Sequence, residues 1–380
     1  MCQYCRGMDA RRWSAVGLIG LGGTIIIAGL ALAGCGPTPS ASTTPTAPKA
    51  STAKATASPT PTCAHTSPLT GACTDPNAPV LIVKIDDLPE ARPQFHLNQT
   101  DMVLVEPVEG GLTRLFAVYN GTLPDIIGPI RSARITDTDL APAFGDPLFA
   151  YSGSQAKLVP YLQATRMQMI GAPQGGTGYY RLSDRQAPHN YVANVQQLLT
   201  RVSDSSTARL DSTAYWRIDA TATDSGTAIT SARIDWPASQ KSFIWDAKGK
   251  RWGIDVYGQP LMTQIDANRH TERAYTTNVV IMESHLLASE FGDKFGARTP
   301  YPQTVGSGRG MVLVDGMAIP ATWQRPTKFA LPRWFDAQGH EIALRPGNTW
   351  WLVVTDLGTV HLQTPAPAQP DTATASATTG

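Results

Sequence analysis

The sequence predicts an α+β or α/β N-terminal domain, a layered sheet with helices, followed by a smaller, mainly-β domain. Three observations carry this. Residues 80–85 (VLIVKI) are a nearly continuous apolar run with β-branched members, the mark of a buried strand. In residues 191–202, Val192, Val195, Leu198, Leu199 and Val202 recur at helical spacing. Beyond residue 228 short β patterns alternate with turn formers, and seven of the nine tryptophans fall there.

The remaining elements follow in order. Residues 101–105 read as a strand stopped by Pro107, and residues 112–119 as another, closed by the turn signal Asn120-Gly121. Residues 148–151 give a fourth strand. Residues 154–165 have helical spacing through Leu158, Val159, Tyr161 and Leu162. Residues 204–226 are polar and turn-rich, as a linker is. Strands are then expected at 242–246, 251–256, 277–282, 310–314 and 349–354, with hairpin turns at 247–250 (AKGK) and 336–339 (DAQG). Trp236, Trp245, Trp252, Trp323, Trp334, Trp350 and Trp351 allow two readings, a sugar-stacking surface or the core of a small barrel or sandwich. Core packing is the commoner use of so much aromatic bulk.

The ends of the chain are an address rather than a fold. Arg6, Arg11 and Arg12 precede an apolar run over residues 15–33 that ends Leu32-Ala33-Gly34-Cys35. This resembles the lipobox of bacterial lipoproteins, in which a small-residue site is cut before a cysteine that carries a diacylglyceryl group, with acyl chains such as palmitate. The run is nearly long enough for a plain transmembrane anchor, but its glycines and the cysteine at its end favour the lipoprotein. The Arg11-Arg12 pair is an ordinary basic n-region rather than a twin-arginine signal. Cys2 and Cys5 form a lone C-x-x-C inside the removable segment, without the second pair that a metal site needs, and a start at Met8 would delete both. Cleavage before Cys35 removes three arginines and one aspartate, taking the formal charge from +1 to −1. The expected location is therefore extracytoplasmic, lipid-anchored to the bacterial membrane through Cys35.

The expected division is a signal peptide at 1–34, a disordered Pro/Thr/Ala/Ser tether at 35–66, an N-terminal domain at 67–205, a linker at 206–227, a Trp-rich domain at 228–363 and a disordered tail at 364–380. The tether and tail contain almost no large apolar residue and cannot offset ordering entropy. Cys63 and Cys73, ten residues apart around turn formers, are expected to close a disulfide outside the cytoplasm. Basic and acidic residues number 31 and 30, which argues against a nucleic-acid partner.

The chemistry gathers in residues 103–134. Arg114, Arg131 and Arg134 offer rigid donor forks for phosphate or carboxylate, and Gly110-Gly111 permits an anion-holding backbone nest beside them. At i, i+3 the last two arginines share a face if their segment is helical. The bland alternative is that the arginines brace loops by pairing with Glu106, Glu109 and Asp137. Glu106 and Glu109 also suggest the acid and base of a wall-directed hydrolase. His189 stands as a general base or a packing residue, and Asn190 as a ligand contact or the N-cap of the helix after it. The seven histidines are scattered, so no metal is expected, and the glycine-rich GAPQGGTG stretch lacks a P-loop lysine, so no cofactor is expected.

The order of VEGGLTR, GPIRSAR, YSGSQ and RQAPHN resembles the YerB-like family of bacterial lipoproteins, whose domains have no assigned function. The resemblance runs from Pro68-Leu69-Thr70-Gly71 through the first domain and, more loosely, to GNTWWLVV around Trp350. It departs at Asp86-Asp87, where the family more usually has Asp-Asn, and at Tyr257-Gly258-Gln259-Pro260, where a histidine region is blurred. The resemblance implies compartment and layout, and no catalytic residue. The expected function is a tethered envelope protein binding an anionic or cell-wall ligand. The alternatives are the hydrolase and a structural module that docks an envelope protein partner.

Overall fold

The structure, a computed structural model, describes residues 63–202, 209–210, 215–293 and 295–367. Cys35, the expected signal segment, the expected tether up to residue 62 and the expected tail from residue 368 lie outside the described residues.

The fold is mostly β and is built on one 11-stranded sheet. Its strands are β1 (Val80–Asp86), β2 (Met102–Pro107), β3 (Thr113–Asn120), β4 (Leu148–Ala150), β5 (Gln168–Met169), β6 (Thr227–Ala228), β7 (Asn278–Glu283), β8 (Gly306–Val314), β9 (Met317–Arg325), β10 (Arg333–Phe335) and β11 (Thr349–Val354). The order across the sheet is β6-β9-β8-β7-β11-β2-β3-β1-β4-β5, with β10 on β9. Strands from both halves of the chain therefore share one sheet. They meet where β11 runs parallel to β2, with Trp350 opposite Val103 and Trp351 opposite Leu104. On its other side β11 is parallel to β7.

The sheet is buried on both faces, and that explains the unbroken apolar runs. Along β1, Leu81, Val83 and Ile85 enter one core, while Val80 and Ile82 enter the other. The first core lies against a second sheet whose strands include Ser231–Trp236, Ser239–Asp246 and Arg251–Val256, and Phe243 of that sheet meets Trp350 edge-on at 6.0 Å. The second core is roofed by Phe144, Leu158 and Leu162. Trp350 and Trp351, adjacent on β11, point into opposite cores. Six of the seven C-terminal tryptophans are buried, and Trp245 is partly so, which makes them core rather than an aromatic binding surface.

The helical layers expected from the sequence shrink to single turns: α1 (Asp137–Leu140), α2 (Val159–Gln163) and α3 (Val195–Leu199). Residues 191–194, expected to be helical, are a strand paired on both edges, with Ile126–Ile127 and with Tyr179–Arg181. Val192 packs with Phe95 and Ile126, whereas Val195 and Leu198 join the first core. The i, i+3 pattern thus spans two clusters, not one helix face. Asn194, not Asn190, caps the helix, its Oδ1 accepting from the Gln197 amide at 2.9 Å. In the 154–165 stretch only Leu158 and Leu162 are buried, while Val159 and Tyr161 are exposed.

Cys63 and Cys73 form a disulfide with their Cα atoms 5.6 Å apart, closing the loop through which the described chain begins. Among the described residues no helix is long and apolar enough to cross a membrane.

Candidate functional site

The site grows from the ends of β1, β2 and β3. Residues of even number on β1 and β2 and on β3 face the second core, so Lys84, Asp86, Glu106 and Arg114 share that face. Asp86 and Glu106 both stand opposite Arg114 in the strand register. Apolar side chains cover this face elsewhere. Here the sheet ends, and polar groups collect.

The GPIRSAR segment is laid across these strand ends in extended form, not as the helical turn considered from its spacing. Ile130 bridges Ile85, the Arg131 amide donates to the Lys84 carbonyl at 2.8 Å, and the Ala133 amide donates to the Gly153 carbonyl at 2.8 Å. Gly128 begins it at φ +124°, with its α-carbon so close that a Cβ would sit 2.9 Å from the Ile130 nitrogen. Only glycine fits that conformation without strain. Arg131 and Arg134 reach the same cavity because one leaves the extended run and the other turns at the start of α1.

The cavity is about 560 Å³ and is lined by Arg114, Arg131, Arg134, Asp86 and Glu109 among others. Phe291 and Thr299, from the C-terminal half, complete its wall. Arg134 donates from Nε and from a terminal nitrogen to Glu109 Oε2, at 3.0 and 2.8 Å. Burial pushes the Glu109 carboxyl up, but Arg134 and the Thr299 hydroxyl outweigh it and hold the group below its usual range. Arg131 Nε lies 3.2 Å from Asp86 Oδ2, and the same oxygen meets His189 Nδ1 at 2.8 Å. Asp293 also lines the cavity, its Oδ1 taken by the Phe295 and Ala297 amides at 2.9 Å.

Arg114 differs from its neighbours. Among the described residues it has no carboxylate at ion-pair distance and donates only to the Ser132 carbonyl, at 3.1 Å. It is 8% exposed, and burial together with the positive charges of Arg134 and Arg131 pushes its pKa down to about 10. A guanidinium held in this way gains from any anion that enters.

Four residues expected at the site are elsewhere. Glu106 is fully buried and contacts Lys84, which also donates to Asp137 at 2.7 Å. Burial, against the charge of Lys84, holds the Glu106 carboxyl above its usual range. It is a core ion-pair member and does not line the cavity with Glu109. Gly110 and Gly111 both have φ +73° and form a turn rather than a nest, and the Gly111 carbonyl accepts from the Ala238 amide at 2.9 Å. Asn190 is directed into its own loop, donating to the Leu182 and Arg185 carbonyls at 2.9 Å and accepting from Arg181 at 2.8 Å. Among the described residues no group of three or more His, Cys, Asp or Glu is placed to hold a metal ion.

Residues 69–208 match the family described as "Protein of unknown function (DUF3048) N-terminal domain", and residues 232–351 match its C-terminal domain. The chain belongs to the YerB-like family. "Putative lipoprotein YerB" of Bacillus subtilis (strain 168) is 23% identical over 303 residues, covering 77% of this chain and 86% of that protein. The crystal structure of YerB from Bacillus subtilis superposes with a TM-score of 0.67 at 20% identity, covering 79% of this chain and all of that one. The YerB-like fold is thus shared, two family domains around one large sheet. Both sequence domains contribute to the candidate cavity, the N-terminal one its arginines and the C-terminal one Phe291 and Thr299. Asp86, Phe291 and Thr299 carried no assigned role in the sequence. Asp86 had a signal, an acid at the end of a buried strand. Phe291 and Thr299 sit in an irregular loop with none.

Proposed function

We propose that this YerB-like protein is an extracytoplasmic lipoprotein, anchored by acyl chains on Cys35, whose body binds an anionic ligand in the cavity of Arg114, Arg131 and Arg134. The lipobox and the likeness to a YerB described as a lipoprotein support the anchor. One observation carries the ligand reading. Arg114 lies on the cavity wall, hydrogen-bonded among the described residues only to a carbonyl and flanked by two more arginines. The terminal nitrogens of Arg131 make no hydrogen bond among the described residues, so a second fork is open to the same ligand. Bracing accounts for Arg134, which Glu109 holds, but not for Arg114.

The hydrolase reading draws less support. Acid–base hydrolysis needs two carboxyls at the reacting bond, one of them protonated. Glu106 does not reach the cavity, and Arg134 holds Glu109 ionised.

The test is thermal unfolding of the full-length acylated protein in detergent micelles, titrated with inorganic phosphate and with small carboxylates. At a hundredfold excess over its dissociation constant, an anion adds about 2.7 kcal/mol of stability. The expected shift disappears in Arg131→Ala. A protein that shifts with no anion would make the arginines braces and turn the reading to a protein partner. Metabolic labelling with a radioactive fatty acid is expected to mark the wild type and not Cys35→Ala, and labelling of both would overturn the anchor.

A further inference from the structure

A second cavity, of about 640 Å³, adjoins the arginine-lined one, and Ile135 and Phe291 line both. The same segments continue from one to the other. Leu158 faces the first cavity and Tyr161, one turn on, faces the second; Thr299 faces the first and Tyr301 the second. The two are compartments of one groove with Ile135 and Phe291 as the sill between them.

Their chemistry differs. In the second compartment Tyr161 is 47% exposed, stands edge-on to Phe291 with centroids 5.5 Å apart, and donates its hydroxyl to Glu290 at 3.2 Å. Tyr301 donates its hydroxyl to Asp139 at 2.6 Å. The aromatic faces are therefore fixed by their own polar tips beside carboxylates that retain free lone pairs. The acids Asp139 and Glu290 are matched by Arg298 and Lys328, so no net charge is offered there. An exposed aromatic side chain beside acids and bases in equal number suits an uncharged ring of hydroxyl groups. Its apolar C–H face lies on the aromatic ring and its hydroxyls reach the planar polar side chains.

We propose that the groove binds an acidic oligosaccharide, with a neutral sugar against Tyr161 and a carboxylate or phosphate substituent at Arg114 and Arg131. This rests on the anion reading of the first compartment and adds the class of molecule that carries the anion. The experiment uses full-length acylated protein in detergent on an array of immobilised oligosaccharides, acidic and neutral forms of matched backbone, with inorganic phosphate as competitor. Phosphate affinity is measured separately by calorimetry. Capture of acidic but not neutral forms is expected, with competition by phosphate. Tyr161→Ala is expected to weaken capture about tenfold, as for an aromatic contact at a binding centre, while leaving phosphate affinity unchanged. Tyr161 is exposed, so the variant retains its core. Equal capture of neutral forms, no capture by a protein that still binds phosphate, or capture indifferent to Tyr161→Ala would each overturn the oligosaccharide and leave the anion site standing. Failure of the wild type to bind phosphate or any acidic form would remove both.

Discussion

Lys241 Nζ lies 2.6 Å from Asp87 Oδ2 with both side chains fully buried, an ion pair that ties the second sheet to the residue after β1, while Arg92 stands 3.8 Å from the other oxygen. The Thr113 hydroxyl donates to the same carboxylate. Burial, more than Asp87 can offset, pulls the Lys241 pKa below its usual value. Taking one partner away leaves the other charged in the core, which typically costs about 3–5 kcal/mol. Lys241→Met is therefore expected to destabilise the protein by that order in urea unfolding. The double variant with Asp87→Asn should recover much of the loss. Equal stability of the single variant and the wild type would contradict the pairing.

Asp101 sets a pH dependence. Its Oδ2 accepts the Asn120 amide at 2.6 Å, yet burial pushes its pKa up to about 7. Between about pH 4 and 7 the folded protein holds a proton that the unfolded chain has lost, so stability falls as pH rises through this window. A displacement of three pH units corresponds to at most about 4 kcal/mol. Asp101→Asn keeps an oxygen for the Asn120 amide and carries no charge. It is expected to be more stable than wild type at pH 8, with a flatter profile from pH 4 to 7. Denaturation midpoints at each pH provide the check.

Two glycines with nearly the same backbone separate strain from crowding. Gly111 (φ +73°) would place a Cβ 2.6 Å from Pro237 Cβ, whereas Gly258 (φ +74°) has nothing within 4 Å. Alanine at either position pays the left-handed penalty of about 1 kcal/mol. Gly111→Ala must also displace the Pro237-Ala238 turn, so its loss is expected to exceed that of Gly258→Ala by about 1–2 kcal/mol. A smaller loss at Gly111 would mean that the turn does not pack as described.

Removing the Cys63–Cys73 bridge tests a different stabilisation. The bridge closes a short loop, for which chain-entropy arguments give about 3 kcal/mol. Cys63→Ser/Cys73→Ser is expected to lower the melting temperature without altering phosphate binding, since neither residue lines the arginine cavity. Alkylation under native conditions should modify neither cysteine of the wild type.

What the sequence revealed and what it concealed have physical causes. Residues 251–256 and 349–354 were legible as strands to the residue, because β-branched and aromatic runs bounded by turns have few other uses. Residues 191–202 misled because Val192 serves a different cluster from Val195 and Leu198, which no linear spacing discloses. Arg114, Arg131 and Arg134 were legible as a group, since arginines near strand ends and glycine turns seldom lack a shared partner. Glu106 was not separable from Glu109 by sequence. The strand alternation that turns it toward Lys84 was visible, but not the depth of the core around it. Phe291 and Thr299 lie more than 150 residues from the arginines and join them only through the fold.

The placement of β11 between β7 and β2 has a consequence for how the chain is made. A ribosome delivers β2 early and β11 almost last. Until residues 349–354 emerge, the β2 edge is an unpaired row of amides and carbonyls, a template for any other strand nearby. A chain truncated anywhere before Thr349 keeps that edge for good. Nascent protein is thus exposed to aggregation for most of its synthesis, and the last strand of this sheet to arrive is the one that closes it.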